Sequence, residues 1–128
     1  MPQALAAITL LVPDYDAGIA FYVGKLGFEL LEDTELSETK RWVRVAPKGA
    51  QTALVLAVAD TPGQTAAIGK QTSGRVGFFL QTDDFARDHA AMLDNGVRFS
   101  EQPRYEPYGT VAVFSDPWGN LWDLIEPR

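Results

Sequence analysis

The chain states nearly the same pattern twice. Val12-Pro13-Asp14-Tyr15-Asp16 leads into an apolar, helix-like run that ends at Leu26-Gly27-Phe28. Gln81-Thr82-Asp83-Asp84-Phe85 leads into another, ending at Asn95-Gly96-Val97. The interval from Asp14 to Gly27 equals the interval from Asp83 to Gly96. Each unit reads as strand, acidic helix start, helix, glycine stop and second strand. Repetition of this kind constrains a fold before any local propensity does, because a repeated unit must bury the same apolar face each time. It predicts two similar modules packed around a shared cleft. Function is then expected on side chains that face inward from strands of both halves.

Local chemistry fills in the pattern. Leu5 to Val12 is rich in β formers and stops at Pro13. Asp14 or Asp16 offers a carboxylate to the orphan amides of a first helical turn. Ile19, Phe21, Tyr22 and Leu26 recur at helical spacing, and Gly27 suits the left-handed stop. Phe28 to Leu31 reads as strand and the polar stretch Glu32 to Lys40 as a hairpin turn. Arg41 to Ala46 alternates, with Trp42 and Arg44 on one face and Arg41, Val43 and Val45 on the other. Thr52 to Ala59 is a strand. In the second module, Val76 to Leu80 is a strand and Asp84 to Asn95 a helix. Val97 to Ser100 is a strand, and Pro103 to Gly109 is a turn-rich loop. Thr110 to Phe114 and Asn120 to Ile125 are strands joined through Asp116-Pro117-Trp118-Gly119. The order βαβββ, twice, with hairpin connections, predicts an α+β fold. One domain is expected over residues 1–128. Module one spans 4–60, a linker carrying Pro62, Gly63, Gly69 and Gly74 spans 61–74, and module two spans 75–128.

Composition removes whole classes of function. Eleven Lys and Arg stand against 17 Asp and Glu, a formal charge of -6. With no basic stripe, neither nucleic acid nor an anionic membrane surface is an expected partner. No apolar run is long enough to span a bilayer. Met1-Pro2-Gln3-Ala4 lacks the charged start and apolar block of a secretory signal, so a soluble cytoplasmic protein is expected. There is no cysteine, which excludes disulfides, thiolate metal sites and cysteine nucleophiles. The single histidine, His89, falls inside the second helix. One imidazole supports neither an imidazole-rich metal centre nor a serine–histidine–aspartate set. The glycine spacing fits no phosphate loop or dinucleotide fingerprint.

Val12-Pro13-Asp14, Phe21-Tyr22, Leu26-Gly27-Phe28 and Asp116-Pro117-Trp118-Gly119-Asn120-Leu121 resemble the vicinal oxygen chelate superfamily. This group includes glyoxalase I, extradiol dioxygenases and the fosfomycin- and bleomycin-resistance proteins. The resemblance runs through the whole chain, with the motifs in order. It implies paired βαβββ modules curled into a half-barrel sheet around a cleft, and a homodimer. It also implies where a divalent metal would be held. Those positions fall at Ala7, near Leu54, at Arg75 and at Asp123. Only the last has a side chain suited to a cation, since alanine and leucine carry no donor and arginine stays protonated. The expectation is no bound metal and no cofactor.

The candidate site residues follow from chemistry and position. Arg75 offers a guanidinium fork to an anionic oxygen, or pairs with Asp123. Arg41 and Trp42 suit an aromatic ligand, although only one of Arg41 and Arg44 can share a face with the tryptophan. Gln71 precedes Arg75 and offers an amide. Phe79 and Trp122 offer an aromatic wall. Tyr108 and Asp123 are the candidate acid–base pair. The resulting expectation is a small-molecule-binding protein of the bleomycin-resistance type, lacking the usual metal ligands. The alternative is a glyoxalase-like lyase or another small-carbonyl enzyme that uses Asp123 and Tyr108, with or without a weakly held metal.

Overall fold

The computed structural model of the chain describes residues 2–128. They form two compact units, one ending at Ile68 and one beginning at Gly69. The fold is α+β, built on two curled, unclosed sheets.

The first unit carries β1 (Ala7–Val12), α1 (Tyr15–Ile19), β2 (Glu29–Glu35), β3 (Arg41–Ala46), β4 (Ala53–Val58) and the short α2 (Pro62–Ala67). Its sheet runs β1-β4-β3-β2, with β1 and β4 parallel and the remaining pairs antiparallel. Asp14 caps α1 by accepting from Ala17 N at 3.1 Å. Helix α1 packs on β4, β1 and β3. The approach is close because Gly18 faces the sheet: a Cβ there would meet Leu56 Cδ1 at 3.0 Å and Val12 Cγ1 at 3.2 Å. Beneath it Leu10, Val12, Val43, Val45 and Leu56 are fully buried, and each such side chain contributes about 1.5–3 kcal/mol of apolar transfer.

The second unit carries β5 (Val76–Gln81), α3 (Phe85–Asp94), β6 (Arg98–Phe99), β7 (Arg104–Glu106), β8 (Gly109–Ser115) and β9 (Leu121–Pro127). The sheet path is β5-β9-β8-β6, and β7 pairs with β8 as well. Here β5 and β9 are parallel. The topology of the first unit recurs once β6 and β7 are seen as one edge strand broken in two.

Several expectations are revised by the structure. Of Asp14 and Asp16 it is Asp14 that caps the first helix, and Asp84 caps the second, accepting from Arg87 N at 3.1 Å. The cap-to-glycine interval is therefore one residue longer in the first unit. A π-helical segment over Ala20–Lys25 absorbs that residue, with Leu26 N donating to Phe21 O. The stretch Glu32 to Lys40 is not all turn. Strand β2 runs on to Glu35 across a register shift between Leu30 and Glu32, and its charged residues suit an edge strand. In the second unit the loop expected at Pro103–Gly109 contains β7. Proline at 103 has no amide to donate, so the edge strand breaks there and resumes at Arg104. Strand β5, which holds the residues after Arg75, is an edge of its own sheet.

Candidate functional site

Each sheet has one face under its helix and one turned away. In the first unit, strand alternation places Val43, Val45, Leu54 and Leu56 on the helix side, and Trp42, Arg44 and Val55 on the other. Trp42 is 40% exposed. Its indole Nε1 donates to Glu32 Oε1 at 3.1 Å, and Arg44 Nε donates to the same oxygen at 3.2 Å. Arg44 is thus the arginine that shares a face with the tryptophan. Arg41 is committed elsewhere. Its Nε and Nη2 donate to Asp33 at 3.0 and 2.6 Å, its Nη1 donates to Asp16 at 2.9 Å, and its guanidinium lies over the Tyr15 ring. Its hydrogen bonds to Asp33 and Asp16 raise its pKa further, and the same contact lowers that of Asp33. Arg41 therefore ties the sheet to the start of α1 and leaves the candidate site. Trp42 is not in the core, although core packing is the likelier expectation for a tryptophan taken alone.

In the second unit the register sets Phe79 on one side of Asp123 and Val113 on the other. All three share the face turned away from α3. Phe79 is 67% exposed. Asp123 is half-buried, and its Oδ1 is buried with no hydrogen-bond partner. Burial raises the Asp123 pKa; Arg104 opposes the shift and Glu101 adds to it. Neither neighbour is free. Arg104 Nε donates to both carboxylate oxygens of Glu101 at 3.1 Å, and its Nη1 lies 3.5 Å from Glu106. Glu101 also accepts from Val113 N at 2.9 Å, replacing the ladder bond lost where the edge strand breaks. Sequence reasoning missed Glu101 and Arg104. Their signal was the (i, i+3) opposite charge spanning Pro103.

The remaining candidates separate. Arg75 is exposed immediately before β5, and the expected Arg75–Asp123 ion pair is not formed. Thr72 Oγ1 donates to Arg75 O at 2.6 Å, closing the turn that also holds the exposed Gln71. Trp122 is a core residue, 4% exposed, stacked on Phe78 at 4.8 Å and on Phe114 at 5.8 Å. One residue of alternation puts it opposite Asp123, so it cannot line the same face. Tyr108 is 54% exposed and precedes Gly109, which pairs with Pro127. The Tyr108 side chain reaches Arg104, whose charge also bears on Asp123, so the two are linked through that guanidinium and not by a direct contact.

The positions where a metal would be held do not fit one. Ala7 has no donor, Leu54 lies on the helix side, and its open-face neighbour Val55 is equally apolar. Among the described residues no three His, Cys, Asp or Glu side chains gather in metal-binding range. His89 is half-buried in α3, its ring stacked on Phe85 at 5.2 Å and edge-on to Phe99 at 4.5 Å. It lines an open hollow of about 370 Å³ with Leu93, Phe99, Ser100, Glu101 and Gln102. No helix among the described residues is long and apolar enough to cross a membrane.

These two sheets, with their repeated order and aromatic open faces, have close counterparts among known proteins. Residues 4–124 match the Glyoxalase/Bleomycin resistance protein/Dioxygenase superfamily, and the chain belongs to that family. An uncharacterized protein of Shewanella frigidimarina is 50% identical, over 98% of this chain and 95% of its own. The crystal structure of TnmS3, an antibiotic binding protein from Streptomyces sp. CB03234, aligns with a TM-score of 0.80 at 35% identity, covering 99% of this chain and 98% of that one. The crystal structure of UcmS2 aligns with a TM-score of 0.84 at 31% identity, covering 98% of each chain.

Proposed function

We propose that this protein captures a bulky aromatic small molecule without a resident catalytic metal. The observation that carries the reading is the exposure of large aromatic side chains, Trp42 and Phe79, on sheet faces turned away from the helices. Aromatic rings in such positions serve as stacking surfaces for planar ligands. The donor-poor metal positions support binding over metal-assisted chemistry, and the likeness to an antibiotic binding protein supports a ligand of antibiotic type. On this reading Phe79 and Asp123 of the second unit touch ligand, with Arg75, Gln71 and Tyr108 of the same unit at the rim, and Trp42 is a stacking surface of the first unit in its own right. Arg41 and Trp122 have structural roles. The reading also includes a cytoplasmic homodimer. Both sheets are unclosed and leave edge strands, and exposed Leu30, Leu31 and Leu36 give apolar surface to a two-fold contact.

A thermal-shift screen of aromatic antibiotics, run with and without EDTA, tests this. The expected result is a concentration-dependent rise in Tm that EDTA leaves unchanged, with the compound recovered intact. Saturation at a hundredfold over Kd would add about 2.7 kcal/mol of apparent stability. Stabilisation that required a divalent metal, or chemical conversion of the compound, would replace binding with an enzymatic reading in which the raised pKa of Asp123 serves proton transfer.

A further inference from the structure

We infer that the Asp123 carboxylate recognises a protonated amine on the ligand, next to an aromatic group that lies on Phe79. This deepens the small-molecule reading and rests on it.

The second sheet carries an imbalance. A buried carboxylate oxygen without a donor is costly, and the cost persists unless something answers it. Nothing in the second sheet does. Oδ1 has no partner among the described residues. The cation whose charge bears on it, Arg104, already has its Nε on Glu101, its Nη1 against Glu106 and a hydrogen bond with Tyr108. The flanking residues on the same face are Phe79 and Val113, which carry no side-chain donor. The complement must come from outside the unit.

The surroundings narrow its chemistry. A metal ion needs several oxygen or nitrogen ligands, and Asp123 is the one carboxylate here that is not already paired. An ammonium needs fewer: one carboxylate and one aromatic face satisfy much of it. Phe79, exposed and in register with Asp123, supplies that face and a surface for an adjoining aromatic group. The carboxyl torsion is soft, so either oxygen can turn to meet the donor. Charge favours the same choice. The chain has a formal charge of -6, which draws cations toward it and disfavours anionic ligands.

Tryptamine and N-acetyltryptamine form a matched pair, differing by the charge on the amine. Amide chemical shifts of nitrogen-15-labelled protein, followed through a titration with each, give both location and affinity. Tryptamine is expected to move Phe79, Val113 and Asp123 and to bind about tenfold tighter than its acetylated form, the worth of one charge-assisted hydrogen bond. Asp123→Asn, which keeps the shape, should remove most of that preference, whereas Phe79→Ala should weaken both probes, tryptamine the more because it also loses the aromatic face beside its ammonium. Equal binding of the two probes in wild-type protein would overturn the role of Asp123 and leave the small-molecule reading standing. Absence of any shift with either probe would overturn the proposal, and the antibiotic screen would then decide the broader reading alone. If Asp123→Asn changed the oligomeric state but not the affinities, the donor would belong to a second copy of the chain, and the proposal would fall.

Discussion

The two sheets share an order but treat their open faces differently. On the first, Glu32 Oε1 accepts from both Trp42 and Arg44, so the aromatic ring and the charges of that face hold one another. On the second, Phe79 stands without such a tether and Asp123 keeps an unanswered oxygen. One face is internally satisfied and the other is left for something else to satisfy. The same frame occurs twice, and the residues on its two open faces give it different chemistry. That is why function must be argued from the face and not from the fold.

The hairpins differ as sharply, and they give the largest predicted effect. Between β8 and β9, buried Asp116 Oδ1 accepts from the amides of Trp118, Gly119 and Asn120, while Oδ2 accepts from Asn120 Nδ2. The equivalent turn between β3 and β4 has exposed residues and a backbone bond from Ala50 N to Pro47 O. Asp116→Ala should cost about 3–5 kcal/mol, because several donors lose their acceptor together. Lys48→Ala in the first hairpin should stay within about 0.5 kcal/mol. Urea denaturation of both variants checks this, and equal losses would erase the distinction.

A deletion tests the helices. Removing exposed Gly24 takes one residue from the π-helical segment and gives the first unit the cap-to-glycine interval of the second. The variant should fold, with a stability change of about 1–2 kcal/mol. Loss of the cooperative transition would show that the extra residue is built into the first core.

The pH response separates Asp123 from the paired carboxylates. Its folded pKa is raised by burial, so the native state holds that proton more tightly than the unfolded chain. The associated stability is present at acid pH and lost as pH rises through the folded value. Asp123→Asn should therefore raise Tm by a few degrees at neutral pH, with the gain vanishing under acid conditions where the wild-type carboxyl is protonated. Asp88 runs the other way. Arg87, then Thr82, hold its pKa down, so its contribution is present above the ordinary carboxylate range and lost as pH falls below it. Calorimetry at several pH values reads both signs.

The smallest effect should come from the satisfied face. Glu32→Gln weakens a half-exposed pair with Arg44 and should change stability by about 1 kcal/mol or less, with salt reducing the difference.

Much of the frame was legible in the residues. Asp14, Gly27, Gly96 and the alternation of Arg41–Ala46 marked helix ends and a strand by local chemistry. The π-helical residue was not legible, because one inserted residue leaves the helical period nearly intact. Arg104–Glu106 was hidden because Pro103, Pro107 and Gly109 signal turns, while its pairing with β8 is set by tertiary contact. The site was harder still. Trp42 and Phe79 share the composition of core residues, and alternation assigns relative faces but not which face a helix covers. Trp122 was misassigned for this reason, being one residue out of phase with Asp123. The Arg75–Asp123 pair depended on side-chain reach, which spacing along the chain does not encode.

The central contrast can be measured directly by carbon-13 NMR of the Asp123 carboxyl through a pH titration, alone and with saturating tryptamine. The account predicts a free-protein pKa above the ordinary value of about 3.9, and a downward shift once an ammonium answers the carboxylate. A free-protein value at or below the ordinary one, unmoved by tryptamine, would show that Asp123 is already satisfied and would contradict the account.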